Sequence, residues 1–227
     1  MLFRSTAAWL LTTASAVGLA LLAEPIVRLI YRHGATTLAD AQAIAVVLQA
    51  YVVGLAPYAL VKILAPGFYT ADRARIPMFA SIAGVVVNLV FNATTYRLLG
   101  APGLALGTTL GATVNVLVLR LAFDRMVAPL PRGGAGRRLL ALVVANVVMG
   151  ALLFGIAASG ELVVQAIAVP QPLVDLVVVA VGIPVGFVGF AVVLRELDYP
   201  GAAALLGMPA RIAARMRGKP RPPEGRT

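Results

Sequence analysis

The chain has 227 residues, of which 60% are hydrophobic and only 12% are charged, and its mean hydropathy is +0.93. This composition is too apolar for a soluble globular domain and indicates an integral membrane protein. The absence of cysteine excludes disulfides, thiolate catalysis and cysteine-bound metals, and the single histidine, His33, cannot hold a metal ion alone.

The hydropathy pattern predicts an all-α fold, a polytopic membrane helix bundle with six transmembrane helices. About 20 apolar residues are needed to cross a hydrocarbon core of about 30 Å. The predicted helices are A (6–31), B (from 38, with its apolar run at 41–69), C (76–98), D (102–123), E (139–158) and F (173–194). Residues 1–196 are predicted to form this bundle, and residues 197–227 a basic cytoplasmic tail that is partly amphipathic and then disordered.

Helix A begins like a signal peptide, but its apolar run of seventeen residues is longer than the usual ~7 to 15, so we expect it to be retained. Glu24, Arg28 and Arg32 follow the run at i+4 spacing and therefore share one face. Two interpretations are open for these residues. They form an interfacial ion-pair network, or they contact an anionic head group at the mouth of a cavity.

Helix B carries one formal charge, Lys62, within a run of twenty-nine residues. An ammonium in hydrocarbon costs roughly 2.5 to 3.5 kcal/mol on insertion scales, so an intramembrane lysine is a functional candidate. The side chain either snorkels to the membrane surface or faces a cavity. Glycine and proline predict kinks in this helix at Gly54, Pro57 and Pro66.

Helices C and D each carry small and amide residues at i+4 spacing, which is typical of close helix packing in membranes. The two ladders are Ala80, Gly84, Asn88 and Asn92 in helix C, and Gly103, Gly107, Gly111 and Asn115 in helix D. The short link between the helices predicts an antiparallel hairpin. The asparagine end of one ladder then lies beside the glycine end of the other.

The basic residues are distributed unevenly around the predicted helices. Fifteen Lys and Arg fall on the side of the termini and three on the other side, with Lys62 inside the membrane. The positive-inside rule therefore predicts that both termini are cytoplasmic. Anionic inner-leaflet lipid accounts for the net charge of +10, so we expect no nucleic-acid partner.

Three stretches of the sequence share the pattern of one known family. They are Val61–Tyr69 with Ile76-Pro77 after a short charged loop, Glu24–Val27 with Gly34 and Asp40, and residues 86–118. These stretches resemble the MurJ/MviN family of lipid II flippases in the MOP exporter superfamily, and the resemblance covers about residues 10–125.

The resemblance implies the C-terminal lobe, the last six of fourteen helices, of a flippase in the bacterial inner membrane. Such a flippase moves undecaprenyl-linked lipid II by alternating access. The implied partners are this lipid-linked cell-wall precursor, membrane lipids and a missing N-terminal lobe. Candidate substrate-binding residues are Lys62, Arg28, Arg32 and Glu24.

The resemblance also implies two further sites. In the family the last two helices form a groove for the isoprenoid tail. Here this groove would lie between Val144–Phe154 and Val177–Phe187; alternatively these helices only pack on each other. Some members bind sodium between the two helices that correspond to C and D. The matching residues are Asn88, Asn92, Leu104 and Thr108. Because Asn92 stands where those members have an acidic residue, we expect a vestigial site in which the amides hydrogen-bond. Sodium is the single cofactor candidate.

Three classes of function follow from these residues. A transporter lobe is favoured by the resemblance, the bent helices and the sparse intramembrane polar groups. A non-transporting structural or assembly protein, or a degenerate fragment of a polysaccharide-lipid exporter, explains the glycine ladders and basic loops equally well. An intramembrane enzyme is disfavoured because Asp175 and His33 have no catalytic partners in the sequence pattern.

Overall fold

The computed structural model describes residues 2–32, 35–127, 135–167, 169–202 and 207. Every regular element within these ranges is an α-helix, which confirms the all-α class. The helices are α1 (Leu2–Leu21), α2 (Ala23–Tyr31), α3 (Leu38–Val52), α4 (Leu55–Thr70), α5 (Arg75–Met126), α6 (Ala135–Ile167) and α7 (Gln171–Glu196). The residues outside the described ranges include His33, Gly34, residues 128–134 of the basic connection, and residues 203–206 and 208–227 of the predicted tail.

The first two predicted helices are each broken in two. Helix A consists of α1 and α2, which meet at Leu22 with a bend of 70°, and helix B consists of α3 and α4, which meet at Gly54. Pro25 and Pro57 stand at the third position of the helix after each break. Proline has no N–H for the preceding turn but is tolerated in the first turn of a helix. The break at Gly54 was predicted, whereas the prediction of an unbroken helix A is wrong.

Side chains from neighbouring helices bond to carbonyls beside both breaks. The Gln49 amide donates to the Ala20 carbonyl of α1 at 2.9 Å. The Thr109 hydroxyl lies 3.3 Å from the Ala50 carbonyl of α3. It lies at the same distance from the Ala105 carbonyl of its own helix. Because Gln49 and Ala50 are consecutive, one turn of α3 supports both breaks. Freed carbonyls in a membrane helix require such partners.

Helix α5 reverses direction at Gly100, whose φ of +57° is a conformation that glycine adopts readily. Its two arms, 75–99 and 101–126, correspond to the predicted helices C and D. Their backbones approach closely at Gly84 and Gly111, where a Cβ added to either residue would lie 2.6 Å from the partner's carbonyl oxygen. Asn92 lies against Gly107, as the ladders predicted. The antiparallel hairpin is therefore confirmed.

Among the residues that the structure describes, four segments are long and apolar enough to cross a membrane, at 38–70, 75–126, 136–166 and 171–196, and the bent pair α1 and α2 makes a fifth. The second segment is the α5 hairpin. Each of its arms spans about 38 Å at ~1.5 Å per residue, which is enough to cross a hydrocarbon core of about 30 Å. If each arm of α5 is counted as one crossing, the described helices provide six crossings, which is the number predicted.

Helices α1 and α2 connect two groups of helices. In one group α5 packs against α3 and α4, and in the other α6 and α7 pack on each other along their lengths. Within the described residues α6 and α7 meet the first group chiefly through α1 and α2. The largest buried cluster, which includes Leu10, Leu153 and Phe190, lies between α1, α6 and α7.

Gly111→Ala tests the close contact within the hairpin. The new Cβ would meet a backbone carbonyl that cannot move without separating the arms, so we expect a loss of stability of roughly 1 to 3 kcal/mol. Gly155→Ala is the matched control, because nothing lies within 4 Å of its added Cβ. Thermal unfolding of the purified protein in detergent measures both variants. Equal melting temperatures would show that the arms do not touch at Gly111.

Candidate functional site

Lys62 lies on the exposed face of α4. Tyr58 and Pro66, one turn away on either side, are also exposed, whereas Leu64 and Phe68 are buried against α5. No side-chain hydrogen bond or ion pair joins Lys62 to another described residue. The ammonium therefore remains available to water or to a ligand, and its proposed role in substrate binding stays a prediction.

A small polar pocket of about 140 Å³ opens between α4 and the two arms of α5. Its polar walls come from Tyr58, Ser81, Asn88, Thr108 and Asn115. The Asn115 amide donates to the Ser81 hydroxyl at 3.3 Å. The Asn88 amide likewise donates to the Thr108 hydroxyl. The Tyr58 hydroxyl has no side-chain partner among the described residues, and lipid cannot supply one, so it requires water or protein as its neighbour.

The four residues of the predicted sodium site lie together in the hairpin. The Asn92 amide donates to Asn88 Oδ1, and the Asn88 amide donates to the Thr108 hydroxyl at 3.4 Å. The Thr108 hydroxyl in turn donates to the Leu104 carbonyl at 3.1 Å. Only the bond between Asn88 and Thr108 joins the two arms, and the other two bonds each lie within one arm. Sodium binding stays a prediction, and a cation at this place would have to replace these hydrogen bonds.

A larger polar cluster is centred on Arg28 of α2. Its guanidinium donates to both carboxylate oxygens of Asp175, at 3.0 and 2.8 Å. It also donates to Glu24 at 2.9 Å and to Glu161 at 2.7 Å. The Gln171 amide adds a hydrogen bond to Asp175 at 3.2 Å. The cluster, called the Arg28 network below, joins α2, α6 and α7.

Burial divides the Arg28 network into an inner pair and an outer pair. The side chains of Arg28 and Asp175 are 9% and 3% exposed, whereas those of Glu24 and Glu161 are 43% and 49% exposed. A bidentate pair between arginine and carboxylate is a strong, directional contact. Four of the five guanidinium N–H groups are occupied, which leaves Arg28 little capacity to bind an added anion.

The sequence predicted only part of this network. The ion pair between Glu24 and Arg28 is present, whereas Arg32 forms no side-chain bond with any described residue. Asp175 and Glu161 are 147 and 133 residues from Arg28, and no local periodicity connects them. The signal that could have revealed them is an acidic residue within a long apolar stretch of each helix, away from the charged residues at one end. Helix E was predicted to end at 158, before Glu161, but α6 continues to Ile167.

An apolar groove of about 660 Å³ runs along one face of α6 and α7. Its lining includes Leu152, Gly155, Ile156, Val163, Val177 and Val181. Phe154 and Phe187 do not line it: Phe154 borders a smaller pocket at the Arg28 network, and Phe187 borders a cavity shared with α1. Neighbouring helical residues point about 100° apart, so Phe154 faces away from the groove that Gly155 lines. The structure therefore places the groove on a different face from the one that these phenylalanines occupy.

Comparison of the sequence with known proteins finds one matching family and several relatives. The family described as "Lipid II flippase MurJ" matches residues 5–169. A protein of Burkholderia cenocepacia named "Lipid II flippase MurJ" is 31% identical over 145 residues, which cover 64% of this chain and 28% of that protein. A protein of Vibrio cholerae named "Probable lipid II flippase MurJ" is 34% identical over 103 residues, which cover 45% of this chain and 20% of that protein.

A solved structure titled "Lipid II flippase MurJ, inward closed conformation" has the same fold over most of the chain. The TM-score is 0.64 at 22% sequence identity, and the match covers 84% of this chain and 37% of that chain. The chain thus spans between about a fifth and little more than a third of the proteins it matches.

The melting temperature in different salts tests the predicted vestigial sodium site. Asn92→Asp adds the carboxylate that a hard cation requires. We expect sodium, at ten times its dissociation constant, to raise the melting temperature of this variant by roughly 3 to 5 °C relative to choline at equal ionic strength. The unmodified protein and Asn88→Ala should not respond. Sodium-dependent stabilisation of the unmodified protein that Asn88→Ala and Thr108→Val abolish would instead show a working site.

Proposed function

This chain belongs to the lipid II flippase MurJ family, and from that membership we propose that it forms the C-terminal lobe of a flippase. The flippase moves a lipid-linked peptidoglycan precursor across the bacterial inner membrane by alternating access. Its partners are that precursor, membrane lipids and a preceding lobe of the transporter. It works as a transporter and not as an enzyme. The match of the family over residues 5–169 is the observation that carries this proposal.

The exposed polar face of α4 supports a role in the transport route. Lys62 and Tyr58 lie on this face, next to the polar pocket, whereas the outward residues of α6 and α7 are mostly large and apolar. A polar face inside a membrane protein borders water or another protein segment rather than lipid. We assign Lys62 to the anionic part of the precursor, because a lysine ammonium binds phosphate as a compact charge.

The other candidate residues fit different roles. Arg32 has no side-chain partner among the described residues, so it can offer its guanidinium to an anionic head group. Arg28 and Glu24 bond to each other, and their contribution is to the shape of the site. The groove on α6 and α7 suits the apolar tail of the precursor, because its lining residues are almost all apolar.

Labelling of single cysteines tests the proposed orientation, in which both termini are cytoplasmic. Ala35→Cys lies in the connection between α2 and α3, and Ala71→Cys lies in the connection between α4 and α5; both positions are exposed. The charge distribution predicts that Ala71→Cys reacts from the cytoplasmic side and Ala35→Cys from the outside. The chain has no other cysteine, so the background is low. Reaction of both positions from the same side would contradict this orientation.

A chimera tests the transport function. This chain replaces the matching C-terminal segment of the Burkholderia cenocepacia relative, and flipping of a fluorescent lipid-linked precursor is measured in vesicles. We expect the chimera to transport, and Lys62→Met to slow it by roughly 10- to 150-fold, since a charge-assisted contact contributes about 1.5 to 3 kcal/mol. Lys62→Arg keeps the charge and should retain most of the rate.

Two controls define the result. Residues 1–227 alone should flip little, because alternating access requires two bundles that move around a central site. A chimera that inserts and folds normally but does not transport would favour the alternative of a structural or assembly protein. Equal rates for Lys62→Met and the unmodified chimera would remove Lys62 from the transport route.

A further inference from the structure

The Arg28 network joins helices that otherwise meet through apolar contacts. Within the described residues it supplies the side-chain hydrogen bonds between α2 and the α6 and α7 hairpin. Apolar packing between membrane helices has little directional preference, whereas a bidentate ion pair between arginine and a carboxylate fixes the orientation of one helix relative to the other. The pair formed by Arg28 and Asp175 is therefore the contact best able to hold the hairpin in one position.

The position of Asp175 is connected to the shape of the groove. Val174 and Val178, next to Asp175 and one turn after it, line both the groove and the pocket at the Arg28 network. Gly160 of α6 packs closely on this part of α7, since a Cβ added there would lie 2.6 Å from the Val178 side chain. A displacement of Asp175 would therefore move one wall of the groove.

We propose that the pair of Arg28 and Asp175 is a latch that positions the α6 and α7 hairpin on the bent helix formed by α1 and α2. Glu161 adds a second bond to the same guanidinium from α6. Arg28 and Asp175 are thus positioning residues that set the geometry of the groove, rather than ligands of a transported head group. This assignment does not depend on the identity of the lipid or on transport activity.

A double-mutant cycle on stability tests the coupling of the pair. Arg28→Met leaves the buried Asp175 carboxylate without its cation, and Asp175→Leu leaves the guanidinium with only the half-exposed Glu24 and Glu161. We therefore expect each variant to lower the melting temperature by roughly 5 to 10 °C. The double variant removes both charges and should recover most of the loss. Arg32→Met is the matched control on the same part of the chain, and it should change the melting temperature little, because Arg32 is exposed.

Spin-label distances separate positioning from stability alone. Cysteines introduced at Val46 of α3 and Val188 of α7, both exposed, report the position of the hairpin relative to the first group of helices. The unmodified protein should give one narrow distance distribution. The double variant should give a broad one even though its stability has recovered, because the directional bond is gone.

Two results would overturn the latch. One is a narrow distance distribution in the double variant, which would show that packing alone positions the hairpin. The other is an additive loss of melting temperature in the double variant, which would show that the two residues do not act as a pair. If a single variant does not fold, a double variant that does fold still shows the coupling, and its distance distribution still tests the positioning.

Discussion

Hydrocarbon offers no hydrogen-bond partners, and this constraint accounts for the arrangement of the polar side chains in the bundle. Gln49 and Thr109 bond to carbonyls beside the two helix breaks. The hydroxyls of Thr94 and Thr113 donate hydrogen bonds to carbonyls of their own helix. Arg28, the most costly group to bury, is surrounded by carboxylates from three helices. The exposed face of α4 departs from this arrangement, because Lys62 has no side-chain partner among the described residues.

The bundle uses two different kinds of contact between its helices. In the α5 hairpin, glycine at facing positions allows the two backbones to touch, so shape alone aligns the arms. The α6 and α7 hairpin meets the bent helix through large apolar side chains and one buried ion pair. Close backbone contact leaves little freedom to slide, whereas an ion pair can form or break as a unit. The two hairpins therefore differ in how readily they can move relative to their neighbours.

Local patterns in the sequence predicted most of the fold. The glycine and asparagine ladders predicted the α5 hairpin and its register, because i+4 spacing in two adjacent helices defines the facing residues. Gly54 predicted the break between α3 and α4. By contrast, the 70° bend at Leu22 was missed, although Pro25 has the same place in α2 as Pro57 has in α4.

The candidate site was less accessible to sequence analysis. Its long-range bonds depend on how helices pack, and neither hydropathy nor spacing indicates that Asp175 reaches Arg28. The sequence placed Phe154 and Phe187 in a groove between these two helices, and neither residue lines the groove that the structure shows, because an apolar helix has no polar stripe to indicate its rotation. The amide chain at Asn88 and Thr108 was predictable because the tight hairpin leaves only one register.

The single-residue reversal at Gly100 also has a consequence for how the protein is made. An asparagine that enters the bilayer in an isolated helix carries an unsatisfied amide, and its partner here, Thr108, is synthesised only after the turn. Insertion of the two arms as a pair lets the amide and hydroxyl bond to each other as they leave the aqueous channel of the translocon. The tight turn thus favours delivery of α5 to the membrane as one unit, already folded back on itself, rather than as two successive helices.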